Sequence, residues 1–333
     1  MLFSVLIAHY NNFEYFKQCY ESLKNQTYKN FEIILVDDCS TDGSFEKIIE
    51  LTKNDDKIKT YKNEENKGVG FTKRRCVELS SGEICGFVDP DDALTEDAIE
   101  FSVKAHNNDC IATYSQFYLC DENLKIKKIF KKTTKVKNNN PLFFNIHFEV
   151  AHFFTFKKEA YLRTEGINPN YKVAEDIDYI LKLYEIGSFQ FIKKPLYLYR
   201  IHKTGLSHDE TKTYIKNETW HTVLLNAAKR RNISKLFGKK IDEIENLPKF
   251  IFQKENTLLK KIKRKPWLPA SIAVFRLIPK PNPIIEYCNN FLTKVSVSRT
   301  FPNIFTKRIP NNKAIGGETS GEKDKTASAK KRI

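Results

Sequence analysis

Three groups of carboxylates stand at spacings that suit chemistry: Asp37-Asp38, Asp89-Pro90-Asp91-Asp92 and Glu175-Asp176. The first follows the apolar run FEIILV and the second follows ICGFV, so each cluster arrives where a buried strand ends. Like charges gathered on one rim repel one another unless a cation or donor groups meet them. A hard divalent ion such as Mn²⁺ or Mg²⁺ takes oxygen ligands and is commonly held by one or two carboxylates together with substrate phosphates. The pattern therefore points to a metal–phosphate ligand. An isolated Asp-Pro-Asp-Asp also forms a turn, in which Asp92 or Thr95 caps the helix that follows; the position after a strand, with a second acidic pair on the same rim, favours the ligand.

The stretch NKGVGFTKRRC places Lys73 where a GxGxxG fingerprint needs its third glycine, and it lacks the GxxxxGK[ST] of a P-loop, which disfavours a dehydrogenase or a P-loop NTPase. What remains is a helix opening with Lys73, Arg74 and Arg75, cations suited to nucleotide phosphates or, for the two arginines, to a solvated face. Glu175-Asp176 open a helix whose Ile177, Ile180, Leu181 and Tyr184 form an apolar stripe. A carboxylate in that first turn is held rigidly and stays ionised near the helix N-terminus.

These groups need a scaffold. Strands are expected at 3–8, 31–36, 58–62 and 84–88, alternating with helices at 13–26, 44–51 and 71–80. Short strands that are apolar throughout, separated by amphipathic helices, point to a mostly parallel α/β sheet covered on both faces. Such sheets bind ligands beyond the carboxyl ends of their strands. The chain has 333 residues, 41% of them hydrophobic, enough for a sizeable core. Seven cysteines form no CxxC pair, so they are expected as reduced thiols rather than a disulfide framework or zinc site. The N-terminus lacks a basic leader region and no stretch reaches about 18 uninterrupted apolar residues, so a cytoplasmic location is expected.

The motifs SVLIAHYNN, QTYKNFEIILVDDCSTDGS, NKGVGFTKRRCVELSSGEICGFVDPDD, AEDIDYILKLYEIG and YLYRIH together resemble the family 2 glycosyltransferases, which have the GT-A fold; the resemblance covers roughly residues 3–205. It implies a nucleotide-sugar donor, a UDP-sugar by the matches of Tyr10 and Asp38. Ala8 and Tyr10 match the nucleoside pocket, Asp38 the acceptor of a uracil hydrogen bond, and Asp37 stands beside it. Lys73 falls where many members carry Arg, keeping a cation near the phosphates. Asp91 and Asp92 match the DxD-type pair, Asp91 nearer ribose and metal and Asp92 a direct metal ligand, with Asp89 as helper. Asp176 matches the general base and Glu175 its supporting neighbour, while Asp178 is read as a helix-surface or supporting residue. Arg200 and His202 match the YRxH element that closes over the diphosphate, His202 as a further metal or phosphate ligand. His147 and His152 are read as packing or surface residues. The chain carries no QxxRW motif, which implies addition of one sugar rather than polymer synthesis, by a single displacement with inversion. The acceptor implied is a hydroxyl of a glycan or lipid-linked oligosaccharide. A non-catalytic nucleotide-sugar-binding scaffold on the same fold is the alternative.

The net charge of +15 is uneven. Residues 1–228 hold 31 Lys and Arg against 33 Asp and Glu, whereas residues 229–333 hold 25 against 8. The expected organisation is a GT-A domain at 1–205, a basic helical region at 206–310 and a polar tail at 311–333. Lys260, Lys261, Lys263, Arg264 and Lys265 run into Trp267 and an apolar segment, a pattern of peripheral attachment to an anionic membrane surface. A solvated basic helix is the plainer alternative, and no nucleic-acid motif accompanies the charge.

Overall fold

The computed structural model describes residues 1–106, 109–202 and 213–256. The N-terminal half alternates strand and helix: β1 (Phe3–His9), α1 (Phe13–Lys24), β2 (Phe31–Asp37), α2 (Ser44–Thr52), β3 (Ile58–Lys62), α3 (Val69–Leu79) and β4 (Ile84–Phe87). A short β5 (Ala93–Leu94) leads into α4 (Ala98–Ala105), followed by β6 (Cys110–Cys120), β7 (Ile126–Ile129), β8 (Thr155–Lys157), α5 (Lys158–Leu162), α6 (Glu175–Ile186) and β9 (Ser188–Arg200). Helix α7 (Thr213–Arg230), the small hairpin β10 (Lys235–Leu236) and β11 (Lys239–Lys240), and α8 (Leu247–Glu255) complete the described chain.

One sheet runs in the order β3-β2-β1-β4-β8-β6-β9-β5, with β7 paired to β6. The first four strands are parallel; β8 is antiparallel to β4 and β6, while β6 and β9 are again parallel. Strand order reverses at β1, which has β2 on one side and β4 on the other, so a crevice opens at their carboxyl ends. The strands are apolar throughout because both faces are covered: Val5, Ile7, Ile33 and Leu35 pack into one core, Leu6, Ile34 and Val36 into the other.

Helix α7 buries Trp220, Val223, Leu224 and Ala227, and α8 buries Leu247 and Ile251, in the same core as Ile177, Leu181 and Tyr184 of α6. Residues 213–256 thus share a core with the preceding chain, and no separate core begins after residue 205 among the described residues. Arg230 and Arg231 lock this arrangement by pairing with Glu185 at 2.7 and 2.9 Å. The basic stretch from Lys260 to Trp267 lies outside the described residues, as does Cys288. Six cysteines, 19, 39, 76, 85, 110 and 120, are free thiols. No helix of the described residues is long and apolar enough to cross a membrane.

Asp178 proves to be an interior residue, not a surface one. It pairs with Lys182 at 2.7 Å one turn along α6, both side chains are buried, and Lys182 also donates to the Gly166 carbonyl at 3.0 Å. Removing one partner of such a pair leaves the other charge buried alone. Lys182→Met is expected to destabilise the fold by about 3–5 kcal/mol, measured as the shift in denaturant midpoint against the unaltered protein.

Candidate functional site

The β1–α1 and β2–α2 connections are tied together first. His9 at the end of β1 is buried and its Nδ1 lies 2.8 Å from Oδ1 of Asp37 at the end of β2. Asp37 also accepts from the amide and hydroxyl of Ser40, and although burial pushes its carboxyl up, these donors and His9 hold it below the ordinary range. Both oxygens of Asp37 thus face inward, where they brace the rim. Asp38 accepts from Asn63 Nδ2 at 2.7 Å and from the amides of Lys67 and Gly68 at 2.9 and 2.8 Å. It anchors the turn that starts α3. Ala8 is partly buried against the core, while the Tyr10 ring stands 45% exposed at the crevice edge.

Only one of the three cations of α3 enters the crevice. Arg74 bonds Glu78 and the carbonyls of Glu165 and Ile167, and Arg75 bonds Asn63 and the Lys62 carbonyl. Lys73 Nζ instead sits 2.9 Å from Glu175 and 3.5 Å from Asp89. Burial alone would lower its pKa, but Asp89, Glu175 and Asp176 outweigh it and push it well up, so the ammonium is kept.

The Asp89–Asp92 loop is pinned from below by β9. Tyr197 Oη donates to Asp92 Oδ2 at 2.8 Å and accepts from the Asp89 amide at 3.1 Å; the Arg200 amide donates to Asp92 Oδ1 at 2.7 Å. Asp92 is only 2% exposed and both of its oxygens are engaged, so it anchors the loop from within. Burial, with Asp91 and Asp89 nearby, pushes its carboxyl well up. Asp91 (side chain 26% exposed) and Asp89 (35%) face the crevice. His202 Nε2 lies 2.8 Å from Asp91 Oδ2. Arg200 does not reach into the open crevice: its Nε donates to the Asp91 carbonyl, another nitrogen to the Glu122 carbonyl, and its plane lies over the Tyr15 ring.

Opposite this loop stands the start of α6. Ala174 precedes it with φ of +58°, a left-handed conformation that disfavours a side chain and aims the first turn into the crevice. Burial pushes the carboxyls of Glu175 and Asp176 up, with Lys73 opposing; Asp89 adds to the rise of Asp176, whose Oδ1 also meets the Ile177 amide at 2.8 Å. Burial thus raises the Asp176 carboxyl despite its place at the helix terminus and the opposing Lys73. A carboxyl shifted upward is a better proton acceptor near neutral pH.

Several residues of the site escape a motif reading. His9 and Asn63 brace the rim, Tyr197 holds the acidic loop, and Tyr15 and Glu122 support Arg200. His9, Asn63 and Glu122 lie at or just beyond strand ends, a position that becomes meaningful once the sheet order is known, whereas Tyr15 in α1 and Tyr197 within β9 carry no local signal. His152 stacks on Tyr197 at 4.6 Å, and burial lowers its pKa against the pull of Asp89. His147 lies elsewhere, paired with Glu255 of α8 at 3.1 Å.

The closeness of α3 to the segment before α6 depends on one glycine. A Cβ on Gly70 would lie 2.4 Å from the Tyr171 carbonyl oxygen and 2.6 Å from that of Asn168. Gly70→Ala is therefore expected to push this segment and α6 away from Lys73, lowering turnover by about 10²-fold through misplacement of Glu175 and Asp176. Steady-state kinetics beside a thermal melt would separate misplacement from unfolding.

Residues 4–163 match the model of Glycosyl transferase family 2. An uncharacterized glycosyltransferase of Methanocaldococcus jannaschii is 32% identical over 206 residues, covering 60% of this chain and 71% of that protein. The chondroitin synthase of Pasteurella multocida (strain Pm70) is 29% identical over 312 residues, covering 87% of this chain and 31% of that protein. The chain spans about a third of the length of the first curated relatives it matches. Among solved structures, residues 1–349 of S. aureus TarS in complex with UDP-GlcNAc share the fold, with a TM-score of 0.60 at 18% identity over 84% of this chain and 80% of that one. With its strand order, its carboxylate rim and these matches taken together, the chain belongs to glycosyl transferase family 2 and has the GT-A fold.

Proposed function

We propose that the protein is an inverting, metal-dependent glycosyltransferase that moves one sugar from a UDP-sugar to a hydroxyl of a glycan or lipid-linked acceptor. The observation that carries this reading is the position of Lys73, which bridges Glu175 and Asp89 and so ties the helix bearing Asp176 to the acidic loop across one crevice. TarS was solved with UDP-GlcNAc, and several relatives are named as synthases of sugar polymers, which supports a nucleotide-sugar donor. Tyr10 offers an exposed ring for a base, and the turn anchored by Asp38 offers the polar edge beside it.

The donor set fits a hard cation in part. Asp91 would contribute carboxylate oxygen and His202 an imidazole nitrogen beside it, while Asp92 holds the loop from behind; among the described residues no cluster of three or more such side chains is ready-made. Substrate phosphate oxygens and water complete a Mg²⁺ or Mn²⁺ shell of this kind. When bound, the ion supplies charge neutralisation of the leaving diphosphate. The chain's own residues do the rest. Asp176 takes the proton of the attacking hydroxyl, Glu175 and Lys73 hold it in place, and Arg200 fixes the loop on which Asp91 stands. The basic segment after residue 257 would bring the protein to an anionic membrane surface where a lipid-linked acceptor lies.

Calorimetry of UDP with and without Mn²⁺, followed by a screen of UDP-sugars for hydrolysis or transfer, tests the reading. Metal-dependent UDP binding and release of UDP from one sugar nucleotide support it; absence of UDP binding in either condition overturns it.

A further inference from the structure

The β6–β7 hairpin and the segment after it carry seven lysines, at 125, 127, 128, 131, 132, 135 and 137, with no Asp or Glu from residue 123 to 148. The backbone that bears them is fixed. Asp121 closes the turn by accepting from the amides of Asn123 and Lys125, and β7 pairs antiparallel with β6. Beyond β7, Phe130, Thr133 and Val136 are buried, and the stretch is tied down by Phe130 N to the Phe117 carbonyl, Thr134 N to the Glu149 carbonyl and Val136 N to Tyr114 Oη. Burial at every third position leaves Lys131, Lys135 and Lys137 exposed and Lys132 partly so. Lys127 pairs with Asp121 at 2.7 Å. Exposed Ile126 (50%) and Ile129 (37%) interleave with the charges on β7.

This surface connects to the crevice through rings in contact. Phe130 stacks on Phe117 at 4.6 Å, Phe117 meets His152 edge-on at 5.6 Å, and His152 stacks on Tyr197, whose hydroxyl holds Asp92. At the other end, Glu122 in the hairpin turn contacts Tyr15 and Arg200. A basic track on a fixed backbone at the flank of the site suits a partner that must reach that site with repeating negative charge.

We propose that the acceptor is an anionic glycan, bearing uronate or phosphodiester groups along its chain, that lies on the Lys125–Lys137 surface with its growing end in the crevice. Lysines supply point charges without the planar fork of arginine, so the recognition is of charge density rather than of one oxyanion geometry. The inference rests on the glycosyltransferase reading of the crevice.

The test measures binding without turnover. Fluorescence anisotropy would follow a labelled hyaluronan octasaccharide, its carboxyl-reduced counterpart and a glycerol-phosphate oligomer on the full chain at rising salt. The variant carries Lys131→Gln, Lys132→Gln and Lys135→Gln. The expected result is salt-sensitive binding of at least one anionic probe, weakened about tenfold in the variant, with weak binding of the reduced probe, unchanged UDP affinity and unchanged melting temperature. Which anionic probe binds tells uronate from phosphodiester. Equal affinity for charged and reduced probes, or for variant and unaltered protein, overturns the proposal. So does loss of binding to phosphatidylglycerol vesicles in the variant with oligosaccharide affinity intact, which would make the surface a membrane contact. Failure of UDP binding would instead strike the reading of the crevice, because the lysine comparison is scored independently of it.

Discussion

Asp176→Asn is expected to abolish most sugar transfer, with kcat reduced by about 10²–10⁴-fold, while UDP affinity stays within about twofold of the unaltered protein. Asn keeps the shape and the contact to the Ile177 amide but cannot take a proton, so only a step that needs a base is lost. The pH profile gives a second check. Burial, aided by Asp89, pushes the Asp176 carboxyl up, with Lys73 restraining the rise. A base works only when deprotonated, so activity is present above its pKa in the protein and falls as pH drops through that value. The acid limb should therefore lie above the ordinary aspartate range, about 3.9. Lys73→Met removes the restraining cation and should move that limb to still higher pH. An acid limb that moves down, or Asp176→Asn at full rate, would remove Asp176 from the role.

On the proposed function, Asp91→Asn is expected to remove the dependence of UDP binding on Mn²⁺ and to lower transfer by about 10³-fold, the loss expected when several kcal/mol of charge stabilisation on the diphosphate disappear. The effect follows from placement. Asp91 is the member of the loop whose carboxylate faces the crevice beside His202 Nε2, whereas Asp92 accepts from Tyr197 and Arg200 on the inner side. Asp91→Asn leaves those inner bonds untouched, so the melting temperature should hold. Calorimetry with and without metal on Asp91→Asn and His202→Ala reads the outcome directly. Metal dependence that survives both substitutions would move the ion to another part of the rim.

The motifs carried most of the fold. Apolar strands bounded by amphipathic helices announced a parallel sheet, and each expected strand of the first half was found within about two residues of its place, as periodicity and burial on both faces require. The acidic clusters had to meet, because every parallel strand delivers its following loop to the same edge. Residue type and order marked out the cations of α3, the Asp89–Asp92 loop and Glu175-Asp176 as candidates, and the family resemblance gave each its expected role.

Which atoms face the ligand was decided only by the tertiary structure. Asp92 belongs to the same sequence motif as Asp91, yet it turns inward to Tyr197 and the Arg200 amide, and both members of the first pair turn inward too, Asp37 to His9 and Ser40 and Asp38 to Asn63 and the amides of Lys67 and Gly68. Adjacent residues do not reveal this, because His9 lies 28 positions from Asp37, Asn63 25 from Asp38, and the partners of Asp92 more than 100 positions away. The same holds for Asp178, exposed by a simple helical count but buried against Lys182 once α7 covers that side of α6. It holds too for the lysines of 125–137, an unremarkable charge run until β7 and the burial of Phe130, Thr133 and Val136 fix the backbone that carries them. Local pattern determines which elements form and which edge gathers charge, since both follow from hydrophobic period and strand direction. The direction in which Asp92 points depends on donors brought in by β9, the last strand to join the sheet in chain order, and that of Asp37 and Asp38 on His9 and Asn63, which only the folded chain brings beside them.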